Sequence, residues 1–148
     1  MVSSAYKKKD LEIEKKVISL LMGKNLTITT PRKMILTILY KERSPFSVLD
    51  ILNKLPKNCC DQATIYRCLN QFIENHLVET IHLQKDLVHF EFNAPDHHQH
   101  HIVCKICNKI DSFQDCILEK IENNLIKKGY KEVRHKLEFF GICEMCQE

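Results

Sequence analysis

A chain of 148 residues has room for one ordinary domain or two small ones, and its 44% hydrophobic and 28% charged content excludes a disordered chain. No apolar run is long enough to span a bilayer and no signal peptide opens the chain, so a cytoplasmic protein with no membrane partner is expected. Net charge is +3, but residues 1–92 carry 14 Lys/Arg against 10 Asp/Glu, while residues 93–148 carry 8 against 9, so an anionic partner is expected on the first part.

Leu11, Val17, Ile18 and Leu21 share one face of an expected first helix. Thr30-Pro31 reads as an N-cap followed by proline at the first helical position, and Ile35, Leu36 and Leu39 form the apolar stripe of that second helix. Ser47-Val48-Leu49-Asp50 reads as a capping box opening a third helix with Leu49, Ile51, Leu52 and Leu55, which stops before Pro56. Asp61 caps a fourth helix bearing Ile65, Leu69, Phe72 and Ile73. Two β-rich runs follow, 78–83 and 88–92, with Gln84-Lys85-Asp86 as the turn between them.

Helices followed by a β-hairpin make a winged helix-turn-helix, whose fourth helix would enter a major groove. Gln62, Thr64, Tyr66 and Arg67 lie near the N-terminal end of that helix, where base edges are reached. Arg67 can clamp a guanine or a phosphate. Tyr66 can press on a thymine methyl or donate to phosphate.

In the second part, residues 101–104 read as a strand, 114–128 as a helix carrying Ile117, Leu118, Ile121, Leu125 and Ile126 with Gly129 just past its end, and 131–140 as another strand. Such a region is too small to bury a self-sufficient core. Cys104-x-x-Cys107 and Cys143-x-x-Cys146 supply four thiolates, the full tetrahedral shell of a structural Zn²⁺. A zinc joining residues this far apart supplies the missing stability, and an exposed strand and apolar helix face suit pairing with a second copy. The remaining cysteines, Cys59, Cys60, Cys68 and Cys116, have no metal spacing and read as small core or surface residues.

The fold class expected is therefore α+β: a winged-helix DNA-binding domain over residues 1–92, then a small α/β dimerisation domain over 93–148 with a four-cysteine zinc site. A homodimer also suits palindromic operator DNA. One rival is a zinc hydrolase or deaminase, because His89-Phe90-Glu91 ahead of Cys104-x-x-Cys107 echoes the deaminase signature. Val103 stands where that signature has Pro, however, and a shell of four thiolates leaves no open position for water. The other rival is a metal-storage protein or metallochaperone.

Thr30-Pro31-Arg32, Ala63-Thr64-Ile65-Tyr66-Arg67-x-Leu69-Asn70, Phe90-Glu91-Phe92, the His-rich run into Cys104-x-x-Cys107-x-Lys109 and the closing Cys143-x-x-Cys146 together resemble the Fur family of metal-responsive repressors, from about Leu26 to Cys146. The resemblance implies a winged-helix domain, a C-terminal dimerisation domain, a homodimer, and structural zinc on the four cysteines. It also implies a regulatory site at the hinge, where this chain departs from the pattern. Pro45 stands in place of a His before the third helix, Gln99 in place of a His in the His-rich run, and Ser112 in place of an acidic residue. His82, His89, Glu91 and His101 are the candidates to replace it, as in the zinc-sensing Zur branch.

A second family site maps to His98, His100, Glu119 and His135, a donor set suited to Zn²⁺, Fe²⁺ or Mn²⁺. The expected function is that of a zinc- or iron-responsive repressor of metal-uptake or stress genes; a PerR-like peroxide sensor using iron or manganese is the alternative. The family's minor-groove Lys before the second helix is Thr27 here, leaving Lys24 or Lys33 to serve.

Overall fold

The computed structural model describes residues 4–82, 88–94, 100–113, 117–133, 135 and 137–147, with side chains from residue 9 onward. The chain divides into two compact units, Met1–Asn93 and Ala94–Glu148.

In the first unit, α1 (Ser4–Gly23), α2 (Thr30–Glu42), α3 (Val48–Lys54) and α4 (Gln62–Glu74) precede a hairpin of β1 (Val78–His82) and β2 (Val88–Phe92), the order of a winged helix-turn-helix. Helix α1 buries Val17 and Leu21, but Leu11, expected on the same face, is 52% exposed. Two exposed ion pairs also join α1 to α2, Lys33–Glu14 at 2.7 Å and Lys41–Asp10 at 2.9 Å. Exposed pairs of this kind contribute little, so the apolar seam carries the contact.

The cap of α2 lies one residue earlier than the sequence suggests: Thr29 accepts from the Arg32 amide, and Pro31 sits within the first turn. In α3 the Ser47–Asp50 capping box is present in both directions. Leu49 is 59% exposed there, and Val48 takes its place in the core with Ile51 and Leu55. The buried face of α4 is Ile65, Cys68, Leu69 and Phe72, at the i, i+3, i+4, i+7 spacing of one helical stripe.

One side chain ties these helices together. Arg32 donates twice to the Gln71 amide oxygen, at 3.0 and 2.6 Å, and once to the Thr27 carbonyl at 2.7 Å. The Thr30-Pro31-Arg32 motif thus locks α2 against the middle of α4. The wing is widened by Phe46, which exchanges backbone hydrogen bonds with Phe90. Leu83 and the expected turn at Gln84-Lys85-Asp86 lie outside the described residues.

In the second unit, β3 (His100–Cys104) is central, with β4 (Ile110–Phe113) antiparallel on one side and β5 (Glu138–Gly141) parallel on the other. Strand β4 was not expected from sequence, and β5 is shorter than the 131–140 run suggested. Helix α5 spans Glu119–Lys127 and ends at Gly129, whose φ of 97° only glycine adopts freely. None of the side chains of α5 is buried. A sheet this small with an uncovered helix has too little core to stand on apolar burial alone. No helix among the described residues is long and apolar enough to cross a membrane.

Replacing Arg32 by Ala should lower the stability of the first unit by about 1.5–3 kcal/mol, the typical value of a hydrogen bond to a charged group, read as a shift in urea midpoint. Arg32→Lys should recover only part of that loss, because a single ammonium cannot reproduce the fork.

Candidate metal centre and nucleic-acid interface

The two ends of the second sheet bring the cysteine pairs together. Cys104 closes β3, Cys107 follows in the turn to β4, and Cys143 and Cys146 flank a 3-10 turn after β5. Because β3 and β5 run parallel, with Cys104 opposite Gly141, both pairs leave the sheet at the same end. The four sulfurs lie within 4.8 Å of one another, and Cys107 Sγ is 3.7 Å from Cys143 Sγ. That is close to the tetrahedral shell of a zinc held at about 2.3 Å from each sulfur.

Backbone amides point inward as well. The Ile106 and Cys143 N–H groups donate to Cys104 Sγ at 3.5 and 3.4 Å. Hydrogen bonds from the Cys107, Cys143 and Ile106 backbone lower the Cys104 pKa to about 6. Cys146 is pushed up to about 12, first by its hydrogen bond with Cys143 and then by burial. Four thiols this close cannot all ionise without a cation among them, and a divalent ion removes the conflict. The donor set fits zinc, and among the described residues this is the one cluster of three or more His, Cys, Asp or Glu ligand atoms with that proximity.

Two residues of the second candidate set lie near one another. His100 and His135 stack with ring centroids 5.3 Å apart. His135 Nδ1, however, lies 2.6 Å from a carboxylate oxygen of Glu122. Glu119, the acidic residue expected there, is exposed one turn earlier on the same helix. Glu122, one turn beyond Glu119 on the same helix, is the acidic residue that meets His135. His98 lies outside the described residues.

The hinge candidates divide between faces. Ile81 pairs with His89 and Glu79 with Glu91, so His89 and Glu91 share one face of the wing. His82 pairs with Val88 and therefore lies on the opposite face, where its ring approaches the Thr80 hydroxyl at 3.4 Å. The grouping of His82 with His89 and Glu91 is thus corrected: being on the partner strand does not put a residue on the same face.

The antiparallel Phe46–Phe90 bridge sets Pro45 beside Glu91 and Ser47 beside His89. Pro45 brings no donor to Glu91. Burial lowers the His89 pKa, against the opposing pull of Asp50. Its Nδ1 is buried with no hydrogen-bond partner among the described residues. Glu91 itself is buried. In the second unit, His101 Nδ1 meets the Ser112 hydroxyl at 3.0 Å.

On α4, Gln62, Tyr66 and Arg67 are exposed opposite the buried stripe, and Thr64 is half-buried. Asp61 Oδ1 accepts the Thr64 amide at 2.8 Å, and hydrogen bonding from the Thr64 side chain, then from that amide, holds the Asp61 pKa below its ordinary value. Arg67 donates to Thr64 Oγ1 at 3.2 Å, which orients the guanidinium along the exposed face. Of the two minor-groove candidates, Lys33 is engaged with Glu14, while Lys24 is exposed in the turn after α1.

The lowered His89 pKa means that the folded chain favours the neutral ring. The associated stability is present above about pH 6.5, the unfolded His value, and is lost as pH falls below it. Urea midpoints of protein stripped of loosely held metal should therefore fall between pH 7 and 5 more steeply in the wild type than in His89→Gln.

A sequence profile of the Ferric uptake regulator family matches residues 23–140. The ferric uptake regulation protein of Haemophilus influenzae is 35% identical over 130 residues, covering 85% of this chain and 88% of that one. The solved structure of the Vibrio cholerae ferric uptake regulator superposes with a TM-score of 0.67 at 30% identity, covering 83% of this chain and 96% of that one. The manganese-containing regulator of Pseudomonas aeruginosa superposes with a TM-score of 0.73 at 26% identity, covering 86% and 98%. With this match over most of its length and its own four-cysteine cluster, the chain belongs to the Ferric uptake regulator family of metal-responsive transcriptional regulators and is not an enzyme.

Proposed function

We propose that the protein is a cytoplasmic homodimeric repressor of metal-uptake genes that binds a palindromic operator when a divalent metal, Fe²⁺ or Zn²⁺, fills a regulatory site built on His100, Glu122 and His135. The juxtaposition of the His100 and His135 rings with the Glu122 carboxylate carries this reading. Two imidazoles and a carboxylate suit Fe²⁺, Zn²⁺ or Mn²⁺ alike. The ferric uptake names of the curated relatives favour iron. His98 and Glu119 complete the candidate donors, and Zn²⁺ on Cys104, Cys107, Cys143 and Cys146 is the structural metal.

Dimerisation is supported by what the second unit leaves uncovered. Ile121 and Ile126 on α5 are each 54% exposed, and Phe139 on β5 is 42% exposed. Large apolar side chains left exposed in this way suit a protein–protein interface. A two-fold pair would present two copies of α4 to successive half-sites, with Gln62, Thr64, Tyr66 and Arg67 facing the groove.

The mechanism is linkage. A bound metal supplies cross-links between side chains that would otherwise remain independent, and so selects one arrangement of the dimer. If only that arrangement fits the operator, metal and DNA affinities raise one another by the same factor. His89 and Glu91 in the first unit, and His101 in the second, remain further candidate metal ligands, with His82 on the opposite face of the wing.

The test is metal content of the purified protein, paired with operator titrations followed by fluorescence anisotropy after mild chelation. One zinc retained per chain, with DNA binding restored by Fe²⁺ or Zn²⁺, supports the reading; metal-independent binding overturns it. In the same assay, Glu122→Gln should weaken the metal response more than Glu119→Gln. Arg67→Ala should cost about 1–3 kcal/mol of operator affinity with the metal response intact.

A further inference from the structure

The metal centres described so far leave three cysteines and a methionine of the first unit unused. Helix α3 ends at Leu55, and the chain reverses before Asp61 caps α4. The reversal depends on Asn58, whose φ of 64° lies in the left-handed region that Asn tolerates, and on a hydrogen bond from the Cys59 amide to the Pro56 carbonyl at 3.1 Å. It sets Cys59 against α2, where Cys59 Sγ lies 3.6 Å from the Met34 thioether sulfur. Cys60, next in sequence, is half-buried like Cys59, and Cys68 lies on the buried inner stripe of α4.

We propose that Met34, Cys59 and Cys60 form a binding site for a soft monovalent cation, copper(I), at the turn that leads into the recognition helix, with Cys68 backing the site.

Several observations converge on that chemistry. Thiolate and thioether together select copper(I) over the harder divalent ions that imidazole and carboxylate attract. The 3.6 Å between Cys59 Sγ and Met34 Sδ is a direct sulfur–sulfur contact, and a small opening would let both sulfurs lie about 2.3 Å from one ion. Cys59, Cys60 and Met34 are half-buried, so an ion can reach them while most of its surroundings stay apolar.

A thiol redox switch fits less well. Adjacent cysteines bridge one another poorly. Burial, then the neighbouring Cys59, pushes the Cys60 thiol up to about 11, which keeps it protonated and slow to oxidise. Copper(I) uptake needs no electron transfer: the two thiol protons leave to solvent, and two thiolates and a thioether surround the ion. The neutral pair thereby becomes a singly negative complex just ahead of Asp61 and the DNA-facing side chains of α4. Loading should oppose phosphate binding there. That consequence rests on the repressor reading; the site itself does not.

The test is an anaerobic titration of the zinc-loaded full-length protein with copper(I) held by bicinchoninate as competitor, with zinc release followed in parallel. One copper(I) per chain should be withdrawn from the competitor with no zinc released. Cys59→Ser and Cys60→Ser should each lower that affinity by at least about tenfold, the cost of losing even an outer-shell partner. Met34→Leu, which preserves volume, should lower it by less, and far-ultraviolet circular dichroism checks that each variant is folded. Should Cys60→Ser fail to fold, Cys59→Ser and Met34→Leu decide the matter.

Copper entering only as zinc leaves, or unchanged uptake in the folded variants, overturns the site. In the operator assay, copper loading should weaken binding by about fivefold or more. Uptake that leaves operator affinity unchanged overturns the regulatory consequence, whereas absence of operator binding without copper counts against the repressor reading and leaves the site standing.

Discussion

The second unit depends on the convergence of four sulfurs at one end of a small sheet. Its helix buries none of its side chains, and its strands expose Ile102, Phe139 and Phe140. With so little apolar area removed from water, hydrophobic burial within one chain cannot offset the entropy of ordering it. The parallel pairing of β3 with β5 solves this geometrically, because parallel strands deliver both Cys-x-x-Cys turns to the same end. A metal bound there cross-links the start and finish of the unit and contributes its binding energy directly to folding.

The first unit is built on the opposite principle. Its core of Ile35, Leu36, Leu39, Ile51, Ile65, Leu69 and Phe72 is closed without metal. Polar groups there fix position as well as adding stability: the Arg32 fork onto Gln71 sets α2 against α4, and the Ser47–Asp50 box starts α3 beside the wing. The exposed face of α4 is therefore presented by a rigid scaffold, which base recognition requires, since a small misplacement of a side chain forfeits a hydrogen bond. The two units thus draw on different sources of stability, apolar burial in the first and the cysteine cluster in the second.

Much of this was legible in the residues. Apolar periodicity located the buried stripes of α2 and α4, capping residues located the starts of α2 to α4 to within a residue, and cysteine spacing located the four-cysteine cluster. These signals are local: a helix repeats every 3.6 residues and a cap acts within one turn, so neither needs the rest of the fold. The family, and with it the α+β winged-helix architecture, rests on the same motifs. Leu11 and Leu49 show the limit even here, since periodicity marks a face but burial depends on what arrives to cover it.

Tertiary structure decided what spacing leaves open. His82 and His89 both belong to the wing, but pairing register alone determines which face each occupies, and a shift of one residue would exchange them. Glu119 and Glu122 lie one turn apart on α5, and only the arrival of His135 from a distant segment distinguishes them. Met34 and Cys59 are 25 positions apart with no shared motif, yet the Asn58 turn brings their sulfurs into contact. By itself the sequence determined which elements form and which residue types could bind metal or DNA. The folded chain decided which of those residues meet, because contacts between distant segments depend on register and crossing geometry that no local pattern encodes.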